Sequence, residues 1–227
     1  MSKLKAALCI LATLVGPTLI SMLLISIYLG GWYAATRHQG APPQQLMTQL
    51  ILWTTVPAEW CVVLLWWLVY RKRAAFAELF AARPGPRPAD FLVGLSLGAA
   101  WVAMYGLADV VPFRDMFVFN LAKLQAVPGS LTAGFCEEFL FRGFLFWVIV
   151  RAGGNRWVQV IVTSLAFGLA HLMWGPWGMF WTVILGLTLA GVRLWRGSVW
   201  PAIIAHALLD LCIQPGLMAQ LTAAGSN

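Results

Sequence analysis

Residues 137–142 of this chain read Glu-Glu-Phe-Leu-Phe-Arg, and long apolar runs flank them on both sides. An ionisable side chain at the centre of a bilayer costs about 2.5 to 3.5 kcal/mol on insertion scales, so such groups usually face a polar interior and have a function. Stability alone would not select two glutamates and an arginine in this setting. The stretch therefore predicts a membrane helix with a functional site inside it.

The composition identifies the class of protein. Hydrophobic residues make up 61% of the 227 residues and charged residues 10%, and the mean hydropathy is +0.80. A soluble domain of this length could not bury so much apolar surface. We therefore predict an all-α, polytopic membrane protein with about seven transmembrane helices around an intramembrane polar cavity. The apolar runs long enough to cross a core of about 30 Å lie at 6–29, 47–70, 91–112, 128–150, 157–174, 177–194 and 199–219.

The basic residues indicate the orientation of these spans. With a cytoplasmic N-terminus, eleven of the 15 Lys and Arg residues fall on the cytoplasmic side, three fall opposite, and Arg142 lies inside a span. This asymmetry predicts a multi-pass protein of the cell (cytoplasmic) membrane with its N-terminus in the cytoplasm. The net charge of +7 reflects that orientation and does not indicate nucleic-acid binding, because the basic residues are spread over separate loops.

Two pairs of polar residues have the spacing of one helical turn. Glu138 and Arg142 are four residues apart and share a helix face, so their charges can largely cancel. Glu137 points about 100° away from that face and lacks the arginine partner, so it remains available as a general base. His206 and Asp210 have the same spacing, so the carboxylate can orient the imidazole.

Together with His171, these residues place two histidines and four charged side chains on three predicted spans. We therefore predict one shared polar site. Simple depth counting at 1.5 Å per residue does not bring His171 and His206 to the level of Glu137. Some of these helices should consequently be tilted or shortened, and Gly175, Pro176 and Gly178 could form a re-entrant turn.

The other residues with reactive side chains are not part of a recognisable catalytic or metal-binding motif. The four cysteines lie in apolar surroundings without Cys-x-x-Cys spacing, which indicates neither a disulfide framework nor a thiolate zinc site. Cys136 is expected to be a poor nucleophile beside two carboxylates, and Ser164 has no catalytic motif around it. Glu59 and Asp109 are interpreted as helix-packing or interface residues.

Three motifs on successive predicted helices resemble those of a known family. They are Glu-Glu-x-x-x-Arg at 137–142, Phe-x-x-x-His at 167–171 and His-x-x-x-Asp at 206–210. In this order they are similar to the motifs of the CAAX protease and bacteriocin-processing (CPBP) family of intramembrane proteases, also called the ABI family. The resemblance covers about residues 90–215 and implies an all-helical endopeptidase with an intramembrane polar cavity. It assigns water activation to Glu137 and His171, support of these two to Glu138 and Arg142, and oxyanion stabilisation or substrate positioning to His206 with Asp210.

The resemblance also suggests a division of the chain. The protease core would occupy 90–215, with a tail at 216–227. Residues 1–89 would hold the N-terminal transmembrane helices and a cytoplasmic Pro-rich loop, in which 71–82 could form an interfacial helix.

One residue departs from the branch of the family that trims prenylated CAAX proteins. That branch typically has asparagine where this chain has Asp210. An ionised aspartate only accepts hydrogen bonds and cannot stabilise an oxyanion. Either Asp210 is protonated in the cavity, or it orients His206 and leaves donation to the imidazole.

The sequence leaves two alternatives for the metal requirement of the site. Glu137, His171 and His206 could form a three-ligand Zn2+ site with an open position for water. The His-Glu-x-x-His pattern of many zinc proteases is absent, and the resemblance favours a glutamate-based mechanism without a metal.

The resemblance implies hydrolysis of a peptide bond near the membrane, either CAAX-type processing or processing of a bacteriocin or other peptide precursor. The partners would be the lipid bilayer and a membrane-associated peptide or protein, prenylated in the CAAX case. The alternative is a non-proteolytic immunity or scaffold protein of the same fold. A proton-coupled transporter would also need buried carboxylates and histidines, but the chain shows no obvious inverted repeat.

Overall fold

A computed structural model describes residues 1–37, 41–70, 86–117 and 121–224, with the side chains of the last helix described as far as residue 213. The regular secondary structure in this part of the chain is all helical, which confirms the all-α prediction. A π-helical segment, Phe139–Leu145, joins the helices Leu121–Glu138 and Phe146–Arg151, and a 3-10 turn, Leu172–Trp174, precedes the helix Gly175–Arg196. The helices are α1 (Lys3–Thr36), α2 (Gln44–Tyr70), α3 (Pro88–Leu107), α4 (Phe113–Met116), α5 (Leu121–Glu138), α6 (Phe146–Arg151), α7 (Arg156–Ala170), α8 (Gly175–Arg196) and α9 (Trp200–Ala224).

Four helices in the described residues are long and apolar enough to cross a membrane: α1, α2 from Gln49, α3 and α8. They correspond to four of the seven predicted spans. The predicted span 128–150 is divided among α5, the π segment and α6. The predicted span 157–174 is shorter than expected, because α7 has 15 residues and rises only about 22 Å. The described apolar part of α9 is Trp200–Ile213.

One prediction concerns residues outside the described ranges. The interfacial helix predicted at 71–82 lies there. The helix predicted at 91–112 ends earlier in the structure than expected, because α3 stops at Leu107. Asp109 follows in an exposed turn with φ +52°.

The α1–α2 hairpin is fastened by polar pairs and joined to the rest of the protein by aromatic rings. The hydroxyl groups of Ser21 and Thr54 are 2.6 Å apart, and Trp66 Nε1 donates to Thr13 Oγ1 at 3.1 Å. The ring of Trp66 then stacks on Phe144 of the π segment, with ring centroids 4.5 Å apart. A buried hydrogen bond in a span satisfies polar atoms that lipid cannot, so the pairs stabilise this helix contact.

Close approach of α9 to α3 and α5 depends on glycine. A Cβ atom at Gly98 of α3 would lie 2.9 Å from the carbonyl oxygen of Ala205, and one at Gly134 of α5 would lie 2.8 Å from the backbone nitrogen of Ala207. Small residues let membrane helices pack backbone against backbone. The residues Ala205 and Ala207 flank His206, so these contacts set the position of that histidine against α5.

The ends of α3 and α8 are held by a buried carboxylate. Asp90 is fully buried, and its Oδ1 accepts from Arg196 Nη2 at 3.1 Å. Its Oδ2 accepts from the backbone N–H of Arg87 at 3.0 Å, a capping interaction that satisfies one free donor at the start of α3. The connection therefore fixes α8 beside α3.

The glycine contact between α5 and α9 predicts the effect of a single methyl group. Gly134→Ala should destabilise the protein by about 1 to 3 kcal/mol, because the added carbon overlaps the backbone of α9. Thermal unfolding of the detergent-purified protein measures this.

The matched control is Gly129→Ala on the same helix, where an added Cβ meets nothing within 4 Å. This control should be neutral or stabilising by up to about 1 kcal/mol, because alanine has the higher helix propensity. Equal unfolding temperatures for the two variants would contradict the packing described for Gly134.

Candidate active site

The site begins where α5 changes into the π-helical segment. Glu137 and Glu138 are the last two residues of α5, and the π turn follows at once with Phe139. All seven residues of this segment are buried. Single π turns inside α-helices occur often at functional sites because the extra residue re-aims neighbouring side chains. Here the segment carries Arg142 beside the two glutamates.

Glu138 and Arg142 form a fully buried ion pair, as their spacing predicted. Both side chains are 0% exposed, and Arg142 Nη1 donates to Glu138 Oε1 at 2.6 Å. Arg142 Nη2 also donates to the carbonyl oxygen of Gly186 on α8 at 3.2 Å. A Cβ at Gly186 would lie 3.3 Å from that Nη2 atom and 3.1 Å from the Cα of Ser164. The small residue therefore leaves the guanidinium room to reach across to α8.

His206 is held by Glu138 as well as by its predicted partner. Its Nδ1 lies 2.8 Å from Glu138 Oε1, and its Nε2 lies 3.6 Å from Asp210 Oδ1. Because the carboxylate paired with Arg142 only accepts hydrogen bonds, the Nδ1 atom carries the proton. The shared face of His206 and Asp210 is confirmed, and the shorter contact to Glu138 is an addition that spacing along one helix could not reveal.

His171 has its ring fixed by the other residue of its motif. It follows the last residue of α7, and its Nδ1 lies 2.9 Å from the carbonyl oxygen of Phe167. A carbonyl oxygen only accepts, so Nδ1 again carries the proton and the lone pair of Nε2 is directed elsewhere. That Nε2 faces Glu137 Oε2 at 3.7 Å.

Phe167 also provides an apolar wall for the charged groups. Its side chain is fully buried, and its ring lies 4.2 Å from the guanidinium carbon of Arg142, within the range of a cation–π contact. The ring is perpendicular to His206, with centroids 5.6 Å apart, and tilted against His171 at 4.8 Å. One phenylalanine thus contacts both histidines and the arginine.

Glu137 lies where the two histidines converge. Its Oε2 is 3.7 Å from His171 Nε2 and 4.0 Å from His206 Nε2. Both distances exceed a direct hydrogen bond, and such separations are often bridged by water. The carboxylate and the two imidazole nitrogens therefore surround one point that a small polar group could occupy.

The structure brings all the predicted site residues together, through one chain of contacts. The side chains predicted to share a polar site are Glu137, Glu138, Arg142, His171, His206 and Asp210. Depth counting had suggested that they could not meet without shortened helices. The short α7, which ends just before His171, is one such helix. The connection after it is a 3-10 turn leading to Gly175 at φ +75°.

Glu59 is a site neighbour that we did not predict from the sequence. It lies on α2 and is 5% exposed, and its carboxyl group is close enough to those of Glu137 and Asp210 to interact with them electrostatically. No motif connects it with the other residues. The available signal was the presence of a carboxyl group inside an apolar span, which by itself indicates a functional position.

The candidate zinc ligands are Glu137, His171 and His206. Among the described residues, no group of three His, Cys, Asp or Glu side chains is arranged to hold a metal ion. Both histidines have their Nδ1 atoms engaged with protein oxygens and direct Nε2 toward Glu137. A metal-binding histidine usually donates its second ring N–H to a protein oxygen in this way, so the donor types of these three residues would suit zinc.

The buried ion pair predicts a large cost for removing one partner. Arg142→Met should lower the free energy of unfolding by about 3 to 5 kcal/mol, because Glu138 would remain buried without its cation. Denaturant titration in detergent micelles measures the difference.

Arg156→Met is the matched control, because Arg156 is exposed at the start of α7. Its effect should stay within about 0.5 kcal/mol, as for most surface substitutions. An Arg142→Met protein as stable as this control would show that the pair contributes little to stability.

Comparison with known proteins supports the resemblance. A family model described as "Rce1-like: Type II CAAX prenyl endopeptidase Rce1-like" matches residues 119–212, which include all three motifs. Neither a curated protein nor a solved structure gave a match. The matched residues fall within the predicted core 90–215, whose boundaries stay predictions. The resemblance inferred from the motifs is confirmed, since residues 119–212 of this membrane protein are similar to the Rce1-like, type II CAAX prenyl endopeptidase family.

Proposed function

We propose that this protein is an intramembrane endopeptidase in which Glu137 and His171 activate water. The observation that carries the proposal is the convergence of two imidazole Nε2 atoms on one oxygen of Glu137, at 3.7 and 4.0 Å. The family match over residues 119–212 supports a peptidase. A scaffold protein would need neither the carboxylate nor the imidazoles in this arrangement.

The nucleophilic water would lie between Glu137 and His171. Peptide hydrolysis requires a base for the water and a proton for the leaving amine. The lone pair on His171 Nε2 and the Glu137 carboxylate face each other, so both could accept protons from that water. The proton taken up in the first step can then be returned to the amine. His171 Nδ1 stays bound to the carbonyl of Phe167, which keeps the ring in this orientation.

His206 would act on the opposite side of the scissile carbonyl. Its Nδ1 is anchored to Glu138, whose carboxylate is in turn anchored to Arg142. This chain of buried hydrogen bonds fixes the imidazole so that Nε2 points toward Glu137 and Asp210. Because Nδ1 already carries one proton, a second proton on Nε2 would make the ring an imidazolium, and this Nε2–H would serve as the donor to the oxyanion. Asp210 in this proposal orients the ring and leaves donation to His206.

The substrate would be a membrane-associated peptide or protein, with a prenylated CAAX-type tail as the first class to test. This choice follows the description of the matching family. The site lies among buried residues of membrane-embedded helices, so a substrate anchored in the bilayer is the kind that could reach it.

We also propose that the chain lies in the cytoplasmic membrane with a cytoplasmic N-terminus. The asymmetry of Lys and Arg between the two sets of loops supports this orientation.

Glu137→Gln tests the role of the general base. Loss of the base should reduce cleavage of a fluorogenic, lipidated CAAX-type peptide by about 10²- to 10⁴-fold, while folding is preserved. The assay compares detergent-purified wild type, this variant and the carboxyl-to-amide control Asp115→Asn, which alters an exposed residue of α4.

Asp115→Asn should retain the wild-type rate. Full activity in Glu137→Gln would refute the proposed base. The scaffold alternative predicts a different result. Wild type and Glu137→Gln would then bind the peptide equally tightly, and wild type would cleave neither this peptide nor precursor peptides.

Chelation tests the proposal that no metal is used. The cleavage rate should be unchanged after treatment with a zinc chelator and removal of the chelate, because water activation is assigned to Glu137 and His171. Metal analysis by mass spectrometry on the same sample provides the control. Loss of activity on chelation, restored by added Zn2+, would establish a metalloprotease.

A further inference from the structure

An apolar groove with a volume of about 620 Å³ runs between α3 and α8. Its apolar lining includes Leu92, Val93 and Leu97 of α3 and Val192 and Trp195 of α8. Leu92 and Trp195 are 68% and 70% exposed. Exposed apolar side chains of membrane helices face lipid tails, which are equally apolar. The groove therefore opens toward the bilayer.

Polar contacts tie the two helices together at both ends of this groove. At one end, Arg196 Nη2 donates to Asp90 Oδ1 at 3.1 Å. At the other end, Trp101 Nε1 donates to Oγ1 of the lining residue Thr188 at 3.0 Å. Between these contacts Gly191 leaves space, because a Cβ atom at this position would meet nothing within 4 Å. The two contacts therefore hold the groove at a fixed width while its middle stays open.

The length and position of the groove match a lipid chain. From Trp195 to Thr188, α8 rises about 10 Å over seven residues. One leaflet of a hydrocarbon core about 30 Å thick measures about 15 Å. The candidate spans that line the groove begin at Pro88 and end at Arg196, so the end beside Arg196 lies near a membrane surface. A chain that enters from this surface could follow the groove through most of one leaflet.

Positive charge is concentrated at the surface end of the groove. The Nε and Nη2 atoms of Arg196 donate to Asp90, whereas Nη1 makes no hydrogen bond to the described residues. The guanidinium also lies 5.4 Å from the ring of the lining residue Trp195. Arg87 is exposed, and its backbone N–H donates to Asp90 Oδ2 at 3.0 Å. Two arginines thus adjoin one carboxylate, and basic pockets between membrane helices bind the headgroups of anionic lipids.

The helix α8 separates this groove from the candidate active site. Thr188 lines the groove, whereas the carbonyl oxygen of Gly186 accepts from Arg142 Nη2. Two residues correspond to about 200° around a helix, so the groove and the buried arginine lie on opposite faces of α8. This placement favours a lipid bound apart from the site over the lipid chain of a substrate.

We propose that the groove between α3 and α8 binds one anionic phospholipid. An acyl chain would lie along Val93, Gly191 and Val192, and the phosphate would accept hydrogen bonds from Arg196 Nη1, with Arg87 adding attraction. This lipid would join α3 to α8 between their two polar contacts. The inference goes beyond the proposed peptidase activity and does not depend on it.

Gly191→Leu tests the site for the acyl chain. Native mass spectrometry of the full-length, detergent-purified protein measures the binding of added phosphatidylglycerol. The variant should bind this lipid about 10-fold more weakly than wild type, because the leucine side chain removes packing contacts of the acyl chain. The matched control is Gly30→Leu on α1, an exposed glycine where an added Cβ also meets nothing within 4 Å. Its affinity should equal that of wild type.

Arg87→Gln tests the headgroup site without changing the groove. The loss of one basic residue should weaken the binding of phosphatidylglycerol by about 5-fold. Arg156→Gln, at an exposed arginine of α7, should leave the affinity unchanged. Wild type should bind phosphatidylcholine more weakly than phosphatidylglycerol, because phosphatidylcholine has no net negative charge.

Two results would overturn the proposal. Equal binding of phosphatidylglycerol by Gly191→Leu and Gly30→Leu would show that no acyl chain occupies the groove. If Gly191→Leu bound this lipid normally but lost affinity for a farnesylated peptide, the groove would belong to the substrate instead. Thermal unfolding of both glycine variants in lipid-free detergent checks their folding, and Arg87→Gln provides the decision on an exposed residue if Gly191→Leu does not fold.

Discussion

The contact between Arg142 and Glu138 is the constraint on which the site depends. Two fully buried charges are costly unless each is neutralised and hydrogen-bonded, and here the neutralising partners come from several helices. Arg142 extends to the backbone of α8, while Glu138 extends to His206 on α9. The requirement to satisfy one ion pair thus determines where α8 and α9 lie relative to the π segment. The other site residues take their positions from that arrangement.

Apolar and polar groups make different contributions to the rest of the site. Phe167 supplies an aromatic surface to the arginine and both histidines, which limits the directions in which these side chains can turn. Glycine at 98 and 134 lets the backbone of α9 approach its neighbours. The helices cannot move apart without losing this packing. The polar side chains of the site therefore need only a few contacts each to stay in position.

Much of this arrangement could be predicted from short spacings. Residues four apart on one helix share a face whatever the rest of the chain does, so the pairs 138 with 142 and 206 with 210 were accessible to sequence reasoning. Contacts between helices were not accessible in this way. The bond from His206 to Glu138, the reach of Arg142 to Gly186 and the approach of Glu59 depend on helix tilt, on the length of α7 and on the π turn. Hydropathy along the chain does not indicate these properties. For the same reason it did not predict that the span 128–150 is divided in the structure.

The order of the helices along the chain has a consequence for synthesis in the membrane. The glutamates and Arg142 enter before His171, and His206 and Asp210 arrive only with α9, the last helix of the described chain. A nascent chain that lacks α9 has a glutamate pair without the second imidazole and without the backbone that packs against Gly134. The six site residues therefore come together only after α9 has been inserted, so a chain that has inserted only the earlier helices holds an incomplete site.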